Sequence, residues 1–142
     1  MKKKILIVDD EPGIVRLLSM RLKAKGYEVF EAFDGLECVK IAEEEVPDLI
    51  LLDIKMPVMS GIAAFERLIQ IDITKNIPVV FMTAYPKLEV KNQVVFMGAK
   101  GFISKPFISK DLELIIEGVI NGHDFSGEYQ NIDQHTYHHI NS

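Results

Sequence analysis

Five short runs rich in apolar residues punctuate the chain, and each is followed by a stretch whose apolar residues recur three or four apart. Ile5-Leu6-Ile7-Val8, Leu49-Ile50-Leu51-Leu52 and Val79-Val80-Phe81-Met82 are the clearest of the runs. Apolar residues without alternation predict strands buried on both faces. Tyr27 to Ala32 alternates more and predicts a less buried strand, and Gly101-Phe102-Ile103-Ser104 predicts a short fifth one.

Helices fill the intervals. Pro12 stands where a first helical turn has no use for an N–H, and Gly26 closes that helix. Its predicted apolar face is Ile14, Leu17, Leu18, Met20 and Leu22. After the Asp34-Gly35 turn, a second helix is expected to point Leu36, Val39, Ile41 and Ala42 inward. Its last turn, Glu43-Glu44-Glu45, opposes the helix dipole and belongs in solvent. A third helix follows Ser60-Gly61, with Ile62, Phe65, Leu68 and Ile69 at helical spacing. In the fourth, Val90, Val94 and Met97 share a face, but the Val94-Val95 pair lowers helix propensity. Ser109 caps a fifth helix that faces Leu112, Ile115, Ile116 and Val119 inward. Five repeats of strand then helix call for an α/β fold, a parallel sheet covered on both faces by right-handed crossovers.

Composition narrows the function classes. A net charge of −5 and a sequence pI of about 5.4 leave no basic face for nucleic acid. No apolar run reaches the roughly 18–20 residues of a membrane span, and charge follows Val8 too soon for a signal peptide. The single cysteine, Cys38, forms no internal disulfide, which fits a reducing cytoplasm, and its helical position suits packing. All four histidines (His123, His135, His138, His139) fall after Asn121-Gly122, where apolar periodicity ends. Residues 1–121 therefore read as one domain and 122–142 as a polar, unordered tail or the start of a linker. His135, His138 and His139 lack the acidic or thiolate partners of a firm metal site.

Chemistry gathers where the strands end. Asp9 and Asp10 follow the first strand, Asp53 the third, Thr83 the fourth and Lys105 the fifth. In an open parallel sheet all of these lie on one edge, where such folds bind ligands. Three carboxylates there are costly, since two unit charges about 4 Å apart repel by roughly 4 kcal/mol at an effective dielectric near 20. A divalent cation with hard oxygen ligands, Mg²⁺ or Mn²⁺, offsets that cost, and Lys105 adds a fixed positive charge. Such a set suits phosphoryl transfer, with a carboxylate oxygen attacking phosphorus in line.

These residues, together with Asp53-Ile54-Lys55-Met56-Pro57 through Gly61, Thr83-Ala84 and Lys105-Pro106, resemble the receiver domain of two-component response regulators over about residues 3–120. The resemblance implies a flavodoxin-like (βα)5 three-layer sandwich with strand order 2-1-3-4-5. It makes Asp53 the phosphoacceptor, with Mg²⁺ held by Asp10, Asp53 and the Lys55 backbone carbonyl directly and by Asp9 through water. Thr83 and Lys105 would hold the phosphoryl oxygens, and the Lys105-Pro106 bond would be cis. Thr83 and Phe102 would form the switch, the ring turning inward on phosphorylation to alter the face of the fourth helix, fifth strand and fifth helix. Many relatives carry tyrosine at that place. Phenylalanine keeps the packing change without a hydroxyl. Lys55 and Tyr85 would tune the lifetime of the acyl phosphate.

The implied partners are a sensor histidine kinase or a histidine phosphotransfer protein, and a homodimer or downstream protein at the switching face. Nucleic acid and membrane are not among them. Whether the chain is free-standing or part of a longer regulator stays open. Two enzyme-like alternatives fit less well. An aspartyl-phosphate hydrolase would place an Asp-x-Asp nucleophile pattern on the first strand, and a flavin carrier needs a phosphate loop where Asp9-Asp10-Glu11-Pro12 would repel one. A pseudo-receiver acting only as a binding module leaves Asp53, Thr83 and Lys105 without a use.

Overall fold

The computed structural model describes residues 1–84, 86–105 and 109–128. Strands β1 (Lys4–Val8), β2 (Glu28–Ala32), β3 (Leu49–Asp53), β4 (Val79–Thr83) and β5 (Gly101–Ser104) form one parallel sheet in the order β2-β1-β3-β4-β5. Helices α1 (Pro12–Ala24), α2 (Gly35–Glu45), α3 (Gly61–Leu68), α4 (Leu88–Phe96) and α5 (Ser109–Ile120) connect and cover it.

Strand periodicity divides the core in two. Ile5, Ile7, Leu49, Leu51, Val80, Met82 and Ile103 meet α1 and α5 on one face. Leu6, Val8, Ile50, Leu52, Phe81 and Phe102 meet α2, α3 and α4 on the other. Central strands β3 and β4 are buried at every residue, while edge strand β2 is only partly buried, as the apolar runs predicted.

Helix faces agree less evenly. Helix α5 buries all four predicted residues, Leu112, Ile115, Ile116 and Val119. Helix α1 instead buries Val15, Leu18, Ser19 and Leu22, which is the i, i+3, i+4, i+7 stripe, and leaves Leu17 and Met20 52% and 65% exposed. Ser19 tolerates the core side because its hydroxyl donates to Glu31 Oε2 at 2.7 Å. Leu36 is also exposed, and Cys38 takes an inward place on α2. Asp34 and Ser60 cap α2 and α3 by accepting from the Glu37 and Ala63 amides.

The ordered fold continues past residue 121, where a polar tail was expected. The His123 amide donates to the Gly118 carbonyl (2.8 Å) and the Phe125 amide to the Lys100 carbonyl (2.9 Å). Lys100 Nζ lies 3.3 Å from Asp124 Oδ2. The Phe125 ring packs on the α1/α5 side of the core, over Gly118, where an added Cβ would sit 2.8 Å from it. One aromatic ring seated on one glycine leaves no periodic trace, so the pattern of apolar residues could not report it. A short 3-10 turn, Ser126–Glu128, follows. His135, His138, His139, Tyr85 and Pro106 lie outside the described residues.

Candidate phosphoacceptor site

Parallel strands deliver their last residues to the same edge, and the loops after β1, β3, β4 and β5 meet there. Asp9 follows β1 and is fully buried, with Asp10 beside it exposed. Asp9 Oδ1 accepts from the Glu11 amide at 3.0 Å, and Asp9 Oδ2 accepts from Lys105 Nζ at 2.6 Å. Asp53 ends β3, is 5% exposed, and places Oδ2 3.5 Å from the same ammonium. Carboxylate oxygens of Asp9, Asp10 and Asp53 lie within 4.8 Å of one another. Thr83 ends β4, buried, and its carbonyl accepts from the Lys105 amide at 2.6 Å. Five residues predicted from four separate strand ends are thus brought to one place. Lys55 is exposed in the loop after Asp53.

The electrostatics follow from burial and neighbours. Burial pushes the Asp53 carboxyl up to about 6 from 3.8, Asp9 adds repulsion, and Lys105 and the Ile54 amide oppose the rise. For Lys105, burial disfavours the ammonium, but the bond to Asp9 and the charges of Asp53 and Asp9 outweigh it and raise its pKa. One ammonium therefore answers two buried acids, and the third acid, Asp10, is left to solvent. Three hard oxygen donors converging without a full complement of positive charge are the donor set that Mg²⁺ or Mn²⁺ takes.

Close backbone approach holds the loop after Asp53. The Gly61 amide donates to the Ile54 carbonyl at 2.8 Å, and a Cβ on Gly61 would lie 2.9 Å from the Asp53 carbonyl carbon. Gly35 donates to the Met59 carbonyl at 3.1 Å, and its own Cβ would lie 2.9 Å from Met59 Cβ. The part played by Gly35 was not foreseen: its turn signal is in the sequence, but its partner lies in a distant loop. The Phe102 ring is 1% exposed and packed in the core, with Lys91 Nζ 5.8 Å from the ring centroid. A phenyl ring has no hydroxyl to keep in water, so burial carries no polar cost.

Sheet order, strand-end acids and the paired lysine together define a phosphoacceptor class of α/β domain. Residues 5–117 match the response regulator receiver domain family, and the chain belongs to it. Among curated proteins, the chain is 44% identical over 107 residues to sporulation initiation phosphotransferase F of Bacillus subtilis, covering 75% of this chain and 85% of that one. It is 38% identical over 120 residues to alkaline phosphatase synthesis transcriptional regulatory protein PhoP of the same organism. That match covers 84% of this chain and 49% of the regulator, so the chain spans about half its length. Among solved structures it is similar to the Borrelia burgdorferi CheX-CheY-BeF3-Mg²⁺ complex, with a TM-score of 0.77, 30% identity, and coverage of 82% and 88%. Members of this family are signalling phosphoacceptors. No described helix is long and apolar enough to cross a membrane.

Proposed function

We propose that the chain accepts a phosphoryl group on Asp53 and relays that event through the surface formed by α4, β5 and α5. The observation that carries this reading is the joint placement of Lys105 Nζ, 2.6 Å from Asp9 and 3.5 Å from Asp53, beside three converging carboxylates. Asp9, Asp10, Asp53 and the Lys55 carbonyl would hold Mg²⁺, which when bound supplies positive charge against the phosphoryl oxygens. With its pKa at about 6, Asp53 is ionised at neutral pH and nucleophilic. One of its oxygens forms the bond to phosphorus as the bond from phosphorus to the donor imidazole nitrogen breaks, and that nitrogen leaves with the electron pair. The Lys105 ammonium and the Thr83 hydroxyl then bind the phosphoryl oxygens.

Charge-assisted hydrogen bonds contribute about 1.5–3 kcal/mol each. Two of them approach the roughly 5.5 kcal/mol needed to carry a two-state equilibrium from 1:99 to 99:1. Thr83 and Phe102 form the switch, and the inward, core-packed position of the Phe102 ring is the one the phosphorylated state holds. Lys55 and Tyr85 flank the site in sequence and set how fast water removes the phosphoryl group, a slow self-catalysed reset. The chain works in the cytoplasm, its donor is a sensor histidine kinase or a histidine phosphotransfer protein, and the α4-β5-α5 surface takes a second copy or a downstream protein.

Acetyl phosphate or beryllofluoride with Mg²⁺ tests the reading. The wild type is expected to form a stable acyl phosphate or mimic complex that Asp53→Asn does not. Equal labelling of both proteins refutes it, and rapid multiple turnover would mark a hydrolase instead.

A further inference from the structure

Helix α4 is the most lightly anchored of the helices on the sheet. Helices α1, α2, α3 and α5 each bury several residues, whereas α4 buries Val94 alone among its described residues. Val90 and Met97 pack partly against the same core, and the N-cap residue Lys87 makes no side-chain cap bond. With so little apolar area holding the helix, single contacts along its edge weigh on where it sits.

One such contact carries charge. Lys91, one turn before Val94, is partly buried, and its Nζ stands over the Phe102 ring, 5.8 Å from the centroid. At that range an ammonium is attracted to the negative face of an aromatic ring. A lysine stem can carry its ammonium out into water, yet this one is kept over a ring that is itself buried in the core. The ring belongs to the switch. Phe102 pairs with Phe81 across β4 and β5, and Thr83 stands two residues beyond Phe81. Strand alternation therefore sets Thr83, Phe81 and Phe102 on one face of the sheet, the face that α4 covers. A tyrosine at 102 would have a hydroxyl with which to fix its position. A phenyl ring offers only its faces and edges, and the Lys91 ammonium supplies a directional contact to one of them.

We propose that Lys91 is a positioning residue of the switch. By binding the face of the Phe102 ring it favours the inward state, raises the affinity of the site for a phosphoryl group, and makes α4 follow the ring. This rests on Asp53 being the phosphoacceptor and on Thr83 and Phe102 forming the switch. Lys91 touches no reacting atom, so its effect passes through the ring and vanishes without it. A site competent only with the ring inward has its apparent affinity scaled by the fraction of molecules in that state, so losing the contact weakens binding by the factor it removes from that population.

The test titrates beryllofluoride with Mg²⁺ into the full chain and follows the Thr83 amide by NMR. Lys91→Gln is expected to weaken binding about fivefold, the factor that one partly desolvated cation–ring contact carries. Lys91→Arg keeps a cation over the ring and is expected to stay within about twofold of the wild type. In a Phe102→Leu background, Lys91→Gln is expected to change affinity by less than about twofold. A charge effect acting at a distance, or a general loosening of α4, would lower affinity equally in both backgrounds, and that result overturns the proposal. So does a Lys91→Gln protein that binds as well as the wild type, or an arginine variant as weak as the glutamine one. A wild type that binds no beryllofluoride overturns the phosphoacceptor reading itself, and the proposal with it.

Discussion

Replacing Asp53 by asparagine should stabilise the metal-free protein at neutral pH, and the gain should disappear in acid. Burial, and then repulsion from Asp9, raise the Asp53 carboxyl from 3.8 to about 6. At about 1.4 kcal/mol per pH unit, a rise of about two units corresponds to about 3 kcal/mol. Between those two values the folded state binds more protons than the unfolded chain. Stability contributed by this group is therefore complete below pH 3.8 and lost as pH rises through about 6. Above that, ionised Asp53 opposes folding, a sizeable burden on a domain stable by about 5–15 kcal/mol. Urea unfolding followed by circular dichroism, in chelator, measures the effect. Asp53→Asn should exceed the wild type by about 2–3 kcal/mol at pH 7.5 and equal it near pH 3.5. Millimolar Mg²⁺ should narrow the gap at pH 7.5, because an ion bound by the folded wild type stabilises it by mass action. A difference that is the same at both pH values, or that ignores Mg²⁺, refutes the reasoning.

Two glycines offer further tests. Phe125→Ala should cost about 1–2 kcal/mol in the wild type and close to nothing in a Gly118→Ala background, since a methyl group at 118 already occupies the seat of the ring. Urea midpoints of the four proteins decide this, and additivity within about 0.5 kcal/mol rejects the seat. Gly61→Ala should destabilise by about 2–4 kcal/mol and slow acetyl phosphate labelling, because its Cβ meets the Asp53 backbone, which cannot yield as a side chain can. Thermal melts and mass spectrometry of the labelled protein report both effects.

Much of the architecture was legible because strands buried on two faces must be apolar throughout. Leu49 to Leu52 and Val79 to Met82 are, and both form central strands. From parallel strands alone, Asp9, Asp53, Thr83 and Lys105 follow as neighbours. Helix faces were harder where leucine or methionine was spread around the cylinder. In α1 the mean direction of Leu17, Leu18, Met20 and Leu22 misses the true stripe, which a serine completes through a bond to Glu31. The division of labour between adjacent acids was likewise hidden. Asp9 is sealed and paired with Lys105 while Asp10 meets solvent, a distinction set by how the chain turns off β1. Positive φ at Val58 and the ring of Phe125 on Gly118 depend on distant partners or on backbone turns that residue types do not announce.

Lys105 gives the acidic pocket its own resident counter-ion. In small zinc domains the chain cannot collapse until the ion arrives, because only the ion reconciles the ligands with one another. Here an ammonium on the fifth strand's loop already lies between the two sealed acids and offsets part of their repulsion. Folding can therefore run to completion in a magnesium-poor compartment, and supply of the ion decides when chemistry is permitted, not whether the molecule exists.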